Sequence, residues 1–271
     1  MARRARRLTW LRLLVGAGLL LPLVWAVWAS LQPVDRIFAP VGAHYADTGD
    51  GLRFENYDKA MTRLPFLRFM FNSCVITVAA TIGSVLSCSM AGFAFARLRW
   101  PFRRVAFVLA LLTMAVPLNL ILLPQFLIFE RLGWVNTYKP LIVPHWLAAS
   151  GFFVFLFRQA FLGVPQSLED AARIEGATHW RLYWDVMLPH ARPVVAVVAA
   201  LAAVGSWNAF FAPMIYLSDF ETYPASVGLR MFHVMEGTWP NLMMAAAIVS
   251  MGPPLVVLIV AQRWLLRRID G

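Results

Sequence analysis

Six apolar runs alternate with polar stretches along the chain, at about 8–31, 70–96, 105–129, 138–160, 193–217 and 241–265. Each meets or exceeds the roughly 20 residues that a helix needs to cross the hydrocarbon of a bilayer. The pattern therefore predicts an all-α, polytopic membrane protein of six transmembrane helices. It reads as one domain over 1–271 with its core at about 70–265, without internal repeats. The first outer connection, about 32–69, is too long for a simple turn. It carries Pro33 and Pro40, a flexible Asp47-Thr-Gly-Asp-Gly51, and a mixed segment that suits a short helix on the outer face. The outer connection at about 218–240 holds Tyr223-Pro224, Gly237 and Trp239-Pro240, aromatic residues where interfacial belts use them.

One inner connection, about 161–192, is long, polar and patterned for structure. Ser167 and Asp170 have capping-box spacing, which predicts a helix start there, with Glu169 and Asp170 at the positive end of its dipole. Leu168, Ala171, Ala172 and Glu175 follow three–four spacing and give a narrow small-residue face. Gly176 marks a turn or a close approach. A second helical stretch places Trp180, Tyr183, Trp184, Met187 and Leu188 on one side, and Pro189 is expected to stop it. Two short helices joined at a glycine make a compact knob. Such a loop can lie on the membrane surface, but three acids and no lysine in its first helix oppose anionic headgroups. Docking of a partner fits better.

Charge adds a topology. Only 14% of residues are charged, against about 25% in soluble domains, while 60% are hydrophobic and the net charge is +10. Mean hydropathy is +0.66. The basic excess falls in clusters: Arg3, Arg4, Arg6, Arg7 and Arg12; Arg97, Arg99, Arg103 and Arg104; Arg158, Arg173, Arg181 and Arg192; Arg263, Arg267 and Arg268. With six alternating helices all four clusters share one side, and short basic loops stay in the cytoplasm. Both termini are thus expected inside. The excess does not mark nucleic-acid binding, since aromatic and basic residues do not interleave as in RNA binders. The N-terminus imitates a secretory signal, but its apolar stretch exceeds the usual 7–15 or so residues and reads as an uncleaved first span. Cys74 and Cys88 share one predicted helix at roughly 20 Å, beyond disulfide reach.

Catalytic signatures are missing. There is no Gly-x-x-x-x-Gly-Lys phosphate loop, no His-Glu-x-x-His, no Cys-x-x-Cys and no Gly-x-Ser-x-Gly. No catalytic residue, cofactor or metal site is expected, and His179 and His190 are read as facing water. Carboxylates are absent from the middle of all six spans, which disfavours an ion-coupled transporter. Asn119, Gln125 and Asn208 are the polar residues inside spans. Their plain role is helix–helix hydrogen bonding; lining a solute path is the sharper alternative. Pro117 and Pro124 in span three, Pro213 in span five and Pro253-Pro254 in span six permit bends.

Asp170-Ala171-Ala172, then Arg173-Ile174-Glu175, then Gly176, with Leu188-Pro189 beyond, resembles the Glu-Ala-Ala–three residues–Gly loop of permease subunits of binding-protein-dependent ATP-binding cassette importers. Asp170 stands where a Glu is usual. Phe54-Glu-Asn-Tyr57, Phe71-Asn72-Ser73, Pro124-Gln125-Phe126, Leu132-Gly133-Trp134-Val135-Asn136-Thr137 and Trp207-Asn208-Ala-Phe-Phe-Ala-Pro213 are also similar, over about 54–264. The resemblance is to the carbohydrate-uptake type, of the pattern of the second maltose permease subunit. The family's longer glycine-containing tail is not matched, so no tail contact with an ATPase is implied. The resemblance implies a bacterial inner-membrane pore of two permease subunits, cytoplasmic ATPase subunits that alone hydrolyse ATP, and an outside solute-binding protein. It makes Glu169, Asp170, Ala171, Ala172, Glu175, Gly176, Leu188 and Pro189 the coupling residues. A peptide or phosphate importer and a docking scaffold without transport are the alternatives.

Overall fold

A computed structural model of the chain describes residues 2–37, 51–234 and 239–266, with side chains of the first helix described from Gly16 onward. The flexible stretch expected at 47–50, Gly237, positions 267–271 and the side chains of the first arginine cluster lie outside that description. All regular structure among the described residues is helical. The chain divides into two compact units, Met1–Leu67 with Gly228–Gly252 and Arg68–Val227 with Pro253–Gly271.

In the first unit, helix Pro240–Ser250 packs along Ala2–Ser30 and against Glu55–Thr62, the short helix expected in the first outer connection. Asn56 is the hub. Its buried amide Nδ2 donates to the carbonyls of Ser30 at 2.8 Å and Gln32 at 3.0 Å. Its Oδ1 accepts from Asn241 Nδ2 at 3.3 Å. The carbonyl of Ser30, the last residue of the first helix, and that of Gln32 just beyond it thus find a donor where the helix has none left to offer. Arg63 lies over the Trp239 ring at 3.7 Å, a cation–π contact.

The second unit is built on helix Phe66–Arg97, whose faces are inverted relative to a soluble helix. Phe71, Val78 and Ile82 are bare, while Asn72, Ser73, Thr77, Ser84 and Ser89 are buried. Only a hydrocarbon solvent rewards that arrangement, because polar groups in lipid must be satisfied inside the protein. Four of the five are: Asn72 Nδ2 donates to the carbonyls of Glu221 and Tyr223, Ser73 Oγ accepts from the Ala225 amide, Ser84 Oγ meets His145 Nδ1 at 3.0 Å and Ser89 Oγ meets the Tyr183 hydroxyl, while the Thr77 hydroxyl has no partner among the described residues. Two cores form along this unit. Ile76, Leu122, Phe129, Leu141, Tyr216 and Leu217 make one; Phe93, Phe157, Phe161, Leu182, Tyr183, Met187 and Val198 belong to the other. Beside the first core, Gly133 and Asn136 take left-handed φ of +65° and +62°. Asn136 Oδ1 then accepts from the amides of Ser218 and Asp219 at 3.1 and 2.9 Å, so the Gly133–Thr137 segment braces the turn after Tyr216.

Among the described residues, three helical runs are long and apolar enough to cross a bilayer: Phe66–Arg97, Lys139–Leu162 and Pro240–Gln262. Two further spans arise if bent pairs are joined, Arg103–Ala115 with Asn119–Arg131 at 106° and His179–His190 with Arg192–Trp207 at 80°. Two expected spans are corrected here. Span three is not continuous: the backbone turns extended at Val116 and Pro117, where the proline disfavours helix in the residue before it. Span five stops at Trp207, and a separate helix Phe211–Tyr216 follows with Pro213 in its first turn, the part of a helix where a missing N–H costs no bond.

Candidate functional site

The inner connection folds as a knob. Helix Gly151–Leu162 ends, Val164 and Pro165 turn the chain, and helix Gln166–Ile174 begins. The capping box is not formed. Pro165 occupies the N-cap position with ψ 137° and no side-chain cap, which puts Ser167 inside the first turn. A proline there fixes the turn through its own φ. Gln166 Nε2 instead reaches Asp170 Oδ1 at 3.2 Å.

The helix closes in a Schellman motif. The Ala177 amide donates to the Ala172 carbonyl at 2.9 Å and the Gly176 amide to the Arg173 carbonyl at 3.0 Å. This geometry requires a left-handed residue between helix and exit, and Gly176 supplies it with φ +80°. A Cβ there would meet nothing within 4 Å, so the demand for glycine comes from the backbone and not from crowding within this chain. Thr178 Oγ1 then accepts from the Arg181 amide and caps the second stretch. That stretch runs His179–His190, with a π-helical section over Leu182–Met187. Pro189 does not stop it; the helix passes through to His190. Tyr183 and Met187 are buried in the core, whereas Trp180 and Trp184 are exposed. Tyr183 shares a 2.6 Å hydrogen bond with Ser89. Burial pushes its phenol pKa up, partly offset by that bond.

The two adjacent carboxylates face opposite ways. Glu169 is buried, its side chain 5% exposed, and it is paired twice. Arg97 Nη1 donates to its Oε2 at 3.1 Å, and Arg173 donates to its Oε1 from Nε at 3.1 Å and Nη2 at 2.8 Å. Arg97 also donates to Gln166 Oε1 at 2.9 Å and, through Nη2, to the carbonyls of Phe161 and Val164. One guanidinium from the end of helix Phe66–Arg97 thus holds the end of Gly151–Leu162 and the start of the knob together. Asp170, by contrast, is exposed, as are Ala171, Glu175 and Gly176. Ala172 and Leu188 pack against the core, so the small-residue face is divided between inside and outside. Ile174 is 87% exposed and Leu168 39% exposed, giving the outward face an apolar component.

Arg97 and Ile174 were missed in the sequence. Only spacing could have flagged Ile174, which lies three and four residues beyond Ala171 and Asp170 on the exposed face. The polar residues inside spans do not gather. Gln125 Oε1 accepts from Tyr216 at 3.1 Å, the plain helix–helix role. Asn208 donates to its own helix at Val204, and Asn119 has no hydrogen bond to a described residue. Among the described residues no group of His, Cys, Asp and Glu could hold a metal ion.

Residues 83–271 match the family model described as binding-protein-dependent transport system inner membrane component. The chain is 33% identical, over 75% of its length and 72% of the relative's, to the sn-glycerol-3-phosphate transport system permease protein UgpE of Yersinia enterocolitica. It is 29% identical to UgpE of Brucella suis over 91% of this chain and 89% of that one. Its fold is similar to a chain of a bacterial ABC transporter that imports the acidic polysaccharide alginate, with TM-score 0.77, 23% identity and coverage of 93% and 94%. A chain of the MetNI methionine ABC transporter, at TM-score 0.58 and 16% identity over 76% of this chain and 97% of that one, shares the fold more loosely. The knob stands inside the matched region, and the chain belongs to the family of binding-protein-dependent transport system inner membrane components.

Proposed function

We propose that this chain is one of two pore-forming subunits of an ATP-driven importer for a sugar, sugar phosphate or oligosaccharide. The whole chain forms one transmembrane domain of six spans, with both termini and the 161–192 loop in the cytoplasm. An outside binding protein delivers the solute. Separate cytoplasmic ATPase subunits hydrolyse ATP, and this chain carries no catalytic residue. The knob is the coupling element: Asp170, Ala171, Glu175 and Gly176 meet the ATPase, while Glu169, Ala172, Leu188 and Pro189 seat the knob on the membrane part. The solute class is supported by relatives named for sn-glycerol 3-phosphate and by the alginate importer.

One observation carries the reading. A Schellman-closed helix is bolted inward by a buried ion pair yet leaves its other face bare, charged at Asp170 and apolar at Leu168 and Ile174. A structural loop would bury that apolar face; a docking knob exposes it. Packed interfaces switch between discrete arrangements instead of bending, so a rigid knob transmits closure of the ATPase subunits to the spans. Asn119 and Asn208 are assigned to the solute path in this scheme, while Gln125, bonded to Tyr216, links two helices. The test is solute-stimulated ATP hydrolysis by the reconstituted complex. Asp170→Lys is expected to abolish stimulation, because it opposes the helix dipole and the partner together. Stimulation equal to wild type would reduce the knob to a scaffold contact.

A further inference from the structure

Behind the knob lies a cavity of about 840 Å³ lined by Arg97, Arg99, Arg103, Arg173, Trp100 and Glu169, among others. Four guanidiniums face one carboxylate, and the site is strongly electropositive. Arg97 Nε is buried there without a partner among the described residues. Arg99, which lines the cavity, forms no hydrogen bond or ion pair with any described residue. Arg103 is aimed by its own bond to the Leu98 carbonyl at 2.8 Å.

We infer that this cavity binds the phosphate of an anionic phospholipid headgroup from the cytoplasmic leaflet. The inference rests on the cytoplasmic placement of the loop proposed above. Three observations favour lipid. First, the wall includes Ala96, Arg97 and Leu162, the last residues of two bilayer-crossing helices, which sets the cavity at the depth where headgroups lie. Second, Gln166, Glu169 and Arg173 of the knob line it, whereas Asp170, Ala171 and Ile174 do not. The cavity therefore opens on the side of the knob turned away from the docking face. Third, Trp100 and Phe102 are exposed beside Arg99 and Arg103, the mix of aromatic and basic side chains that settles at a membrane interface. Basic pockets between spans on the cytoplasmic side take such headgroups. Because Arg97 and Arg173 also hold Glu169, a bound phosphate would share the guanidiniums that seat the knob, and lipid composition would tune coupling.

The full complex is purified into nanodiscs of phosphatidylcholine with and without phosphatidylglycerol, and retained lipid is read by native mass spectrometry. Retention of phosphatidylglycerol over phosphatidylcholine is expected. Arg99→Gln should weaken it about fivefold, the equivalent of about 1 kcal/mol per basic residue at an anionic surface, and Arg99→Lys should restore it. Arg104→Gln, exposed and outside this cavity, should leave it unchanged. Equal losses at Arg104 and Arg99 would mean diffuse surface charge and overturn the site. Displacement by inorganic phosphate would assign it to a soluble anion instead. Loss of the ATPase subunit from Arg99→Gln in pure phosphatidylcholine would make the cavity a protein contact. If wild type retains phosphatidylglycerol but never holds an ATPase subunit, the coupling proposal fails while the lipid site stands.

Discussion

Replacing Arg97 by Ala removes one side chain and releases the knob from two helices at once. The Arg97 and Glu169 side chains are 8% and 5% exposed, so solvent does not screen their pairing. Removing one partner of a buried pair costs about 3–5 kcal/mol, chiefly because the other charge is stranded. Arg173 still reaches Glu169 at 2.8 Å and is itself 45% exposed, which moves the expected cost to the lower end. The Phe161 and Val164 carbonyls lose their charged donor, each bond being worth about 1.5–3 kcal/mol, though these terms overlap and do not add. A local cost of about 3 kcal/mol raises the population of the detached knob roughly 100-fold. Amide hydrogen exchange across Gln166–Ile174 reads that population directly, and protection there should fall by about that factor. Solute transported per ATP hydrolysed should fall too, since with a detached knob the ATPase subunits close without moving the spans. Unchanged protection in a folded, membrane-inserted Arg97→Ala protein would refute the reasoning.

Gly176→Ala should cost about 1–2 kcal/mol through its left-handed φ, with no steric component, and Gly176→Asp should further weaken pull-down of the ATPase subunit while leaving membrane insertion intact. Asn56→Ala strands the Ser30 and Gln32 carbonyls and Asn241, and should destabilise the first unit by about 2–4 kcal/mol, read as a lower melting temperature in detergent. Reporter fusions after Arg103 and Thr178 should report cytoplasm and those after Gly51, Thr137 and Glu236 the outside; an outside signal at Thr178 would remove the coupling proposal.

What was legible in the sequence was local. Gly176 announces a helix end because the Schellman bonds span only Ala172 to Ala177, and a left-handed turn leaves its mark in one residue. The apolar runs announce helices because lipid demands length and hydropathy and little else. Pro117 announced a bend, but its size, 106° between the flanking helices, depends on which neighbours each half packs against. Hydropathy is silent about direction, so span five also read straight through Asn208. Arg97 was legible only as one member of a basic cluster. Its partner Glu169 lies 72 residues away, and no periodicity links a helix end to a distant loop. The buried hub at Asn56 was visible as a resemblance, not as physics, because an Asn in an outer connection normally reads as solvated.

The pair Glu169-Asp170 shows what is lost with the third dimension. Neighbours in a helix point about 100° apart, so sequence predicts that they diverge but not which one turns inward. The capping-box reading treated them alike, as two carboxylates at a helix start. With Pro165 setting the start, position 169 falls toward Arg97 and position 170 toward solvent. Their chemistry should therefore respond oppositely to the same small change. Glu169→Asp shortens the reach by about one carbon–carbon bond, roughly 1.5 Å. Bonds of 3.1 Å to Arg97 and 2.8 Å to Arg173 cannot both survive that retreat, and the lost carboxylate contact is buried. Asp170→Glu lengthens an exposed side chain whose only bond among the described residues is to Gln166, a change a flexible partner surface absorbs. Glu169→Asp should lower coupled ATP hydrolysis several-fold at unchanged ATPase affinity, because the docking face is intact and its support is not. Asp170→Glu should leave both near wild type. If instead Glu169→Asp weakens ATPase binding, with exchange at Gln166–Ile174 unaltered, then Glu169 meets the partner and its inward pairing with Arg97 does not govern coupling.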